Sequence, residues 1–586
     1  MATSKSSTTR AVPRKRPDQA DSIDYDDPAE MSFKKVFLII FAIAVLLVGA
    51  YIQLAKNINE RLKQSSSLAS IFSPETTQIG IQDVDETLVV ADNMDAGYLD
   101  HIIDALLKFG HRLSFSGSIT PQKAREDVGR YNLIWTHDYP FQAIKNLKPY
   151  QRLNHFPGTG FITNKLTLST TPRLPHVLRA FRMPHEKEQF LKYTQEHPDK
   201  KVWIQKSSSH RGITIETTDS VNLDMNDTLI QEYMANPLLV DGKKFDIGIY
   251  VVLTSVEPLR IYMYESESLL RFCAHPYINP ETNSFNSSDL DSYVVGDDYT
   301  PIWLMPSLLR YYIGTNLSMK QTLNTYLKRL NKDGQQIWRQ IEETIKAVYK
   351  SKEHHLARMT RMYQQANNYN DTSVEGSLNQ FFEMVRFDFI VDENLNVYLM
   401  EANMSPNLSS RHFPPNRLLY EQVLNSYFSL VGLTQFARQQ LSSTLLPIHY
   451  LDGRVDLPKD SVKSRNGKYG LDELISEKEL SVYEELCVSD ECHMNCHKLD
   501  CKVCYFCLNN QDKLHLRRAI FEQYSRWNFK RLLPSTLDED LQLQMQHPDR
   551  LGNPSKGSQD ELVDSNYIHV QWFRGKCFSD QRFCSY

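Results

Sequence analysis

Apolar and polar positions alternate in several distinct patterns along the chain, and each predicts an element. Residues 36–55 (VFLIIFAIAVLLVGAYIQLA) form a continuous apolar run broken only by Gln53. That is about 20 residues, the length of a helix that spans a hydrocarbon core. Residues 88–91 (LVVA) carry the unbroken pattern of a short buried strand. Leu99, Ile102, Ile103 and Leu106 recur at helical spacing, Gly110 stands where a helix stop belongs, and 131–135 (YNLIW) reads as a second strand. Strand, helix and strand in this order predict a small α/β lobe. Between 200 and 275 the pattern becomes one of hairpins, with 247–253 (IGIYVVL) and 260–264 (RIYMY) as strands around a turn that carries Pro258. Residues 320–362 are predicted to be helical, with Ile337, Ile341, Ile345 and Val348 along one face. A further hairpin is expected from 387–391 and 397–403.

These blocks predict a disordered tail at 1–35, a transmembrane helix at 36–55 and a polar stalk at 56–85. A mixed α+β body follows at 86–430, then a linker or helical extension at 431–485 and a cysteine-rich region at 486–586. Lys34 and Lys35 precede the apolar run, and Lys56, Arg61 and Lys63 follow it. Arg14, Lys15 and Arg16 add to the N-terminal side and favour a cytoplasmic N-terminus, although the asymmetry is small. Composition narrows the class further. With 41% hydrophobic and 11% aromatic residues the 586-residue chain is not disordered throughout. A net charge of −5 lacks the basic excess of a nucleic-acid footprint, so no nucleic-acid partner is expected.

The strongest chemical signal lies at 386–403, RFDFIVDENLNVYLMEAN. With a four-residue loop at 393–396, residue 392 faces 397 and Asp388 faces Glu401. Opposed residues share a face with Cβ atoms about 5 Å apart, and Asn403, two residues on, shares it too. Paired carboxylates repel unless a cation neutralises them, and Mg²⁺ prefers one or two carboxylates together with phosphate oxygens. The alternative is a solvated hairpin face with mild repulsion. Lys206 ends an apolar strand (VWIQK) and is followed by a small polar loop, SSSHRG, with Arg211 and Gly212, of a kind that wraps phosphates or lies free on a surface. Lys244 and Asp246 share a face by period two, either as site residues or as a surface pair. Arg271 in isolation reads as a surface arginine.

Taken together and in order, these segments resemble the tubulin–tyrosine ligase-like family, whose members have an ATP-grasp fold. The resemblance covers roughly residues 150–410 and rests on NHFPG at 154–158, ITNK at 162–165, VWIQK at 202–206, QEYM at 231–234, DGKKFD at 241–246 and the acidic hairpin. It implies an ATP-dependent ligase that joins an amino acid, here glutamate, to a protein carboxylate through an acylphosphate. ATP and Mg²⁺ are the implied cofactors, and tubulin, microtubules or another acidic protein the implied acceptor. Lys165 and Arg271 are implied as catalytic residues. Lys206, Arg211, Gly212, Gln231, Glu232, Tyr233, Met234, Lys244 and Asp246 are implied as nucleotide contacts, and Asp388, Glu401 and Asn403 as metal ligands. Three positions depart from the family's pattern: Ser207 replaces a proline, Thr214 a glycine, and Gly248 an arginine that helps hold substrate carboxylate and phosphate. The last departure supports a second reading, a catalytically silent relative that serves as a membrane-anchored binding or scaffold protein.

Eight of the nine cysteines fall between Cys487 and Cys584. The spacings Cys501-x-x-Cys504 and Cys504-x-x-Cys507 suit zinc, whereas an even number suits disulfides in an oxidising compartment. The expected protein is therefore a single-pass membrane protein. Its body is lumenal or extracellular by charge and cysteines, and cytoplasmic if tubulin is the acceptor.

Overall fold

Residues 88–90 of the expected strand belong to β1 (Glu86–Val90), which lies between β2 (Arg112–Ser116) and β3 (Leu133–Thr136), with β4 (Arg152–Leu153) outside β3. All four strands are parallel. Helix α1 (Asp100–Lys108) connects β1 to β2 and buries Ile102, Ala105 and Leu106. Gly110 (φ 85°) follows its C-cap in the left-handed conformation that stops the helix. In this computed structural model the described residues are 86–90, 97–117, 131–141, 143–148, 151–207, 212–280, 286–366, 380–434, 475–536 and 558–584.

A second sheet is antiparallel, built from β5 (Ala180–Met183), β6 (Val202–Ser207), β7 (Ile213–Thr217) and β8 (Thr228–Glu232) in the order β5-β8-β6-β7. Helix α2 (Lys187–Glu196) covers it through Phe190, which packs with Phe181 and Trp203.

The third sheet carries the site. Its axis is β9 (Phe245–Val256), twelve residues long and buried throughout. On one edge of β9, β10 (Leu259–Tyr264) pairs with its C-terminal half and β11 (Leu269–Phe272) with its N-terminal half. Strand β12 (Thr300–Pro301) extends the sheet beyond β11. On the other edge lie β13 (Glu383–Val391) and then β14 (Val397–Met404). The helical block expected at 320–362 is two helices, α3 (Met319–Arg329) and α4 (Gln335–Ala366). The break is a turn in which Asn331 takes a positive φ of 56°, and Ser318 and Gln321 form the capping box that starts α3. The expected stripe Ile337, Ile341, Ile345 and Val348 is fully buried, and α5 (Arg417–Val431) buries Tyr420, Val423, Leu424 and Tyr427, with Tyr420 near Arg386 and Arg271.

The C-terminal region is built into this sheet. After α6 (Asn510–Ser525), β15 (Phe529–Leu533) pairs antiparallel with the free edge of β10, and α7 (Ser558–Ser579) follows. Glu522 of α6 enters the interior fully buried. Its carboxylate accepts from Arg260 Nε (2.9 Å), Arg518 Nε (3.1 Å), Tyr262 Oη (2.9 Å) and Thr254 Oγ1 (3.0 Å). Burial alone would raise the Glu522 pKa, but the two arginines outweigh it and hold the carboxyl below its ordinary value. Of the two readings for the cysteines, the structure has disulfides: Cys487–Cys504, Cys492–Cys501, Cys496–Cys507 and Cys577–Cys584, with Cys273 free and buried.

The membrane expectation is corrected. Among the described residues no helix is long and apolar enough to cross a membrane. The longest, α4, carries charged residues along its solvent side. The tail, the apolar run at 36–55 and the stalk lie outside the described residues, so neither a single-pass topology nor a membrane partner is supported.

Removing one member of a buried ion cluster leaves the others uncompensated, which costs about 3–5 kcal/mol. Glu522→Ala is expected to destabilise the folded chain by that order in urea unfolding. A change below about 1 kcal/mol would mean the cluster does not hold the C-terminal region to the sheet.

Candidate active site

One face of the third sheet gathers the chemistry, and strand register explains how. Arg271 of β11 lies opposite Asp246 of β9. Gly248 of β9 lies opposite Asp388 of β13, and Asp388 lies opposite Glu401 of β14. Arg386 and Asn403 are the next opposed pair. The turn is one residue longer than the sequence suggested, because Val391, not Asp392, pairs with Val397. Asp392 instead closes the turn, its side chain accepting from the amides of Asn394 (2.9 Å) and Asn396 (2.8 Å). A register shift between Asp388 and Phe389 then restores the expected pairing. The residue skipped on β14 is Met400, a bulge that brings Tyr398 and Glu401 to the same face while Leu399 and Ala402 turn into the core.

Cations neutralise the acids. Arg271 grips Asp246 with two hydrogen bonds (2.9 and 2.8 Å) and reaches Asp388 Oδ2 at 3.2 Å. Arg386 grips Asp388 with two more (2.7 and 2.9 Å). Asn403 Nδ2 donates to both Asp388 (2.8 Å) and Glu401 (3.0 Å), holding the two carboxylates in reach of one another. Lys165 lies 3.2 Å from Glu401 Oε2. It begins a short helix (Lys165–Ser169) capped by Asn164, whose Oδ1 accepts from the Thr167 amide at 3.1 Å. Upstream, buried His155 pairs with Glu383 at 3.1 Å, and Asn154 exchanges hydrogen bonds with the backbone of Thr136, tying this segment to both β13 and β3.

Burial raises the Glu401 pKa, but Lys165, the Asn403 hydrogen bond and Lys206 outweigh it and bring the carboxyl down to about 2. Burial moves Asp246 the other way, up to about 6 despite the Arg271 guanidinium. Lys206 on β6 is buried and donates to Gln231 Oε1 at 3.2 Å; desolvation brings its ammonium down to about 8, with Glu401 pulling in the opposite sense. Lys244 is buried too and donates to the Tyr293 carbonyl (2.8 Å) and the Tyr233 hydroxyl (3.3 Å). Beside these groups opens a cleft of about 360 Å³, lined among others by Leu178, Glu232, Tyr233, Met234 and Tyr398.

This geometry is accompanied by extensive likeness to known proteins. Residues 142–440 match the tubulin-tyrosine ligase family. A probable tubulin polyglutamylase of Caenorhabditis elegans is 32% identical over 571 residues, covering 94% of this chain and 99% of the relative. The chain belongs to the tubulin–tyrosine ligase family. It is an ATP-dependent ligase similar to the family's polyglutamylases, with the ATP-grasp type of fold and α+β content. The tubulin polyglutamylase TTLL6 of Mus musculus is 28% identical over 299 residues, 48% of this chain but 34% of the relative. The corresponding figures for TTLL7 of Xenopus tropicalis are 30%, 49% and 32%. The chain therefore spans about a third of these vertebrate relatives, and nearly the whole of the nematode one.

Of the site residues expected of this ligase, Asp246, Arg271, Asp388, Glu401, Asn403 and Lys165 come together on the sheet face. Lys206 and Gln231 lie on β6 and β8 of the second sheet and Lys244 just before β9, with Glu232, Tyr233 and Met234 on the cleft. Gly212 is exposed with φ 99°, and Arg211 lies outside the described residues. Sequence reasoning missed Arg386. The signal was present, since it stands two residues before Asp388 on the same strand face.

Folding lowers the Glu401 pKa, so the folded chain binds this proton less tightly than the unfolded chain. The resulting stability is present above the ordinary value of 4.5 and lost as pH falls through about 2. At about 1.4 kcal/mol per pKa unit it amounts to at most about 3.5 kcal/mol. Glu401→Gln is expected to be less stable than the native chain at pH 7, and the gap in urea midpoints should narrow below about pH 4. A gap independent of pH would show that Lys165 and Asn403 do not hold the carboxylate ionised.

Proposed function

We propose that the protein ligates glutamate to glutamate side chains of tubulin or another acidic protein, through an acylphosphate of the acceptor carboxylate. The observation that carries this reading is the convergence of Lys165, Arg271, Asp388, Glu401 and Asn403 on one sheet face beside Lys206, Lys244 and the cleft. The named activity of the nematode and vertebrate relatives agrees with it.

A carboxylate is a poor electrophile, and transfer of the ATP γ-phosphoryl group to the acceptor creates a leaving group. The donor amine then attacks the acyl carbon and phosphate departs. Such chemistry requires positioning and charge neutralisation more than a side-chain nucleophile. Glu232, Tyr233 and Met234 offer a hinge for the base of ATP at the cleft. Lys165, Lys206 and Lys244 would offset phosphate charge as cations, and Arg271, whose Nε and Nη2 hold Asp246, would offer Nη1 to a substrate carboxylate. The donor set fits a hard cation: Asp388 and Glu401 carry carboxylate oxygens, Glu401 is held ionised, and Asn403, whose Nδ2 donates to both acids, would offer Oδ1 with its amide turned. Glu401 has the greater spare capacity, because Asp388 already accepts from Arg271, Arg386 and Asn403. Held by these residues, Mg²⁺ would offset the negative charge of the phosphates.

The second reading, a silent nucleotide-binding scaffold, is favoured by one observation, the glycine at 248. Purified full-length chain, ATP, labelled glutamate or glycine, and tubulin separate the two. Transfer of glutamate label to tubulin, lost in Glu401→Ala together with Mg²⁺-dependent ATP binding, is the expected result. ATP binding without transfer to any acidic protein would establish the scaffold instead.

A further inference from the structure

Gly248 and Arg386 are two halves of one arrangement. A Cβ added at Gly248 would stand 3.1 Å from Arg386 Cδ, 3.3 Å from Asp388 Oδ1 and 3.4 Å from Leu269 Cβ. The backbone at 248 is ordinary strand, so conformation does not call for glycine there; the space does. Arg386 crosses from β13 over the bare backbone of β9 and lies where a side chain at 248 would otherwise project. A side chain at 248 is admitted only if Arg386 shifts, so a long one competes with Arg386 for the same space.

The crossing places a second guanidinium next to that of Arg271. Each uses Nε and one terminal nitrogen on a carboxylate, Arg271 on Asp246 and Asp388, Arg386 on Asp388. A guanidinium has five N–H donors, and among the described residues neither Nη1 makes a hydrogen bond. Beside them stands Tyr250, opposite Arg386 in register and 1% exposed; its hydroxyl has no partner among the described residues. A buried unpartnered hydroxyl costs about 1–3 kcal/mol, and a ligand oxygen would relieve that.

We infer that Arg386, in the space that Gly248 leaves open, acts with Arg271 as a two-guanidinium clamp for a dicarboxylate amino-acid donor, and so is a specificity-determining residue. This rests on the ligase reading above and adds a choice of substrate class: a donor with two carboxylates engages both arginines, whereas glycine, with one, does not.

The full chain is examined by calorimetry with glutamate or glycine in the presence of a non-hydrolysable ATP analogue, and by ligation kinetics in which glutamate and ATP are varied separately. Native protein is expected to bind glutamate at least tenfold more tightly than glycine. Arg386→Gln should raise the glutamate Kd and KM at least tenfold while the ATP Kd stays within about threefold. The exchange Gly248→Arg with Arg386→Gly should recover most of the loss, and Gly248→Arg alone should not, because the two side chains compete for the same space. Equal loss of ATP and glutamate affinity in Arg386→Gln would reduce Arg386 to a support for Asp388. An unchanged glutamate Kd, or no preference for glutamate over glycine in the native chain, overturns the clamp outright. Should Arg386→Gln not fold, Arg386→Lys keeps the charge without the fork and is expected to weaken glutamate in the same sense. Absence of label transfer with glutamate binding intact would remove the ligase reading and leave the clamp standing, so the two failures are distinguishable.

Discussion

Facing carboxylates on a buried sheet are the constraint around which the site is arranged. Asp388 and Glu401 sit opposite one another across β13 and β14, and a pair of like charges so placed is unfavourable unless neighbouring groups compensate it. Compensation comes from three directions. Arg271 arrives from β11, Arg386 from the same strand as Asp388, and Lys165 from a short helix above the face. Asn403 donates to both acids at once and fixes their separation. The acids are thus held in fixed positions within a low-dielectric setting, the condition under which fixed groups interact most strongly with a polyanionic substrate.

The sequence made much of this legible because strand periodicity is local. Period two placed Glu401 and Asn403 on one face, an assumed four-residue loop set Asp388 opposite Glu401, and Lys244 and Asp246 were paired by period two as well. The assumed loop length was off by one residue, since Asp392 caps the turn rather than opening the ladder. The pairing of Asp388 with Glu401 survived because the bulge at Met400 absorbs the difference. A bulge leaves no residue-type signature in an apolar strand, so two compensating departures were invisible. Non-local features were harder still. That Arg386 lies over Gly248 depends on β9 and β13 being neighbours, although about 140 residues separate them. The role of Glu522 depends on a helix that returns to strands more than 250 residues earlier. Neither spacing nor composition contains such information. Read alone, Gly248 looked like a deletion of function; in the sheet it is clearance for another residue's side chain.

The C-terminal region acquires its meaning from the same central strand. The N-terminal half of β9 carries Asp246 and Gly248 and borders the charged face, while Thr254 in its C-terminal half bonds Glu522 of α6. Between the two ends Ile249, Val251, Val252 and Leu253 are buried and apolar. A strand clamped at one end by a buried ion cluster and at the other by the site itself has little freedom to slip, and a slip of one residue would turn Asp246 away from Arg271. The family match ends near residue 440, yet β15 and α6 beyond it complete the sheet that holds the catalytic face. The disulfide-stapled segment at 487–507 leads directly into α6 and so fixes the approach of Glu522 to the core. The extension is therefore best understood as part of the scaffold of the site. A sheet that must hold Asp246, Arg271, Arg386, Asp388, Glu401 and Asn403 on one face needs both of its edges secured, and here the second edge is secured by chain outside the family domain.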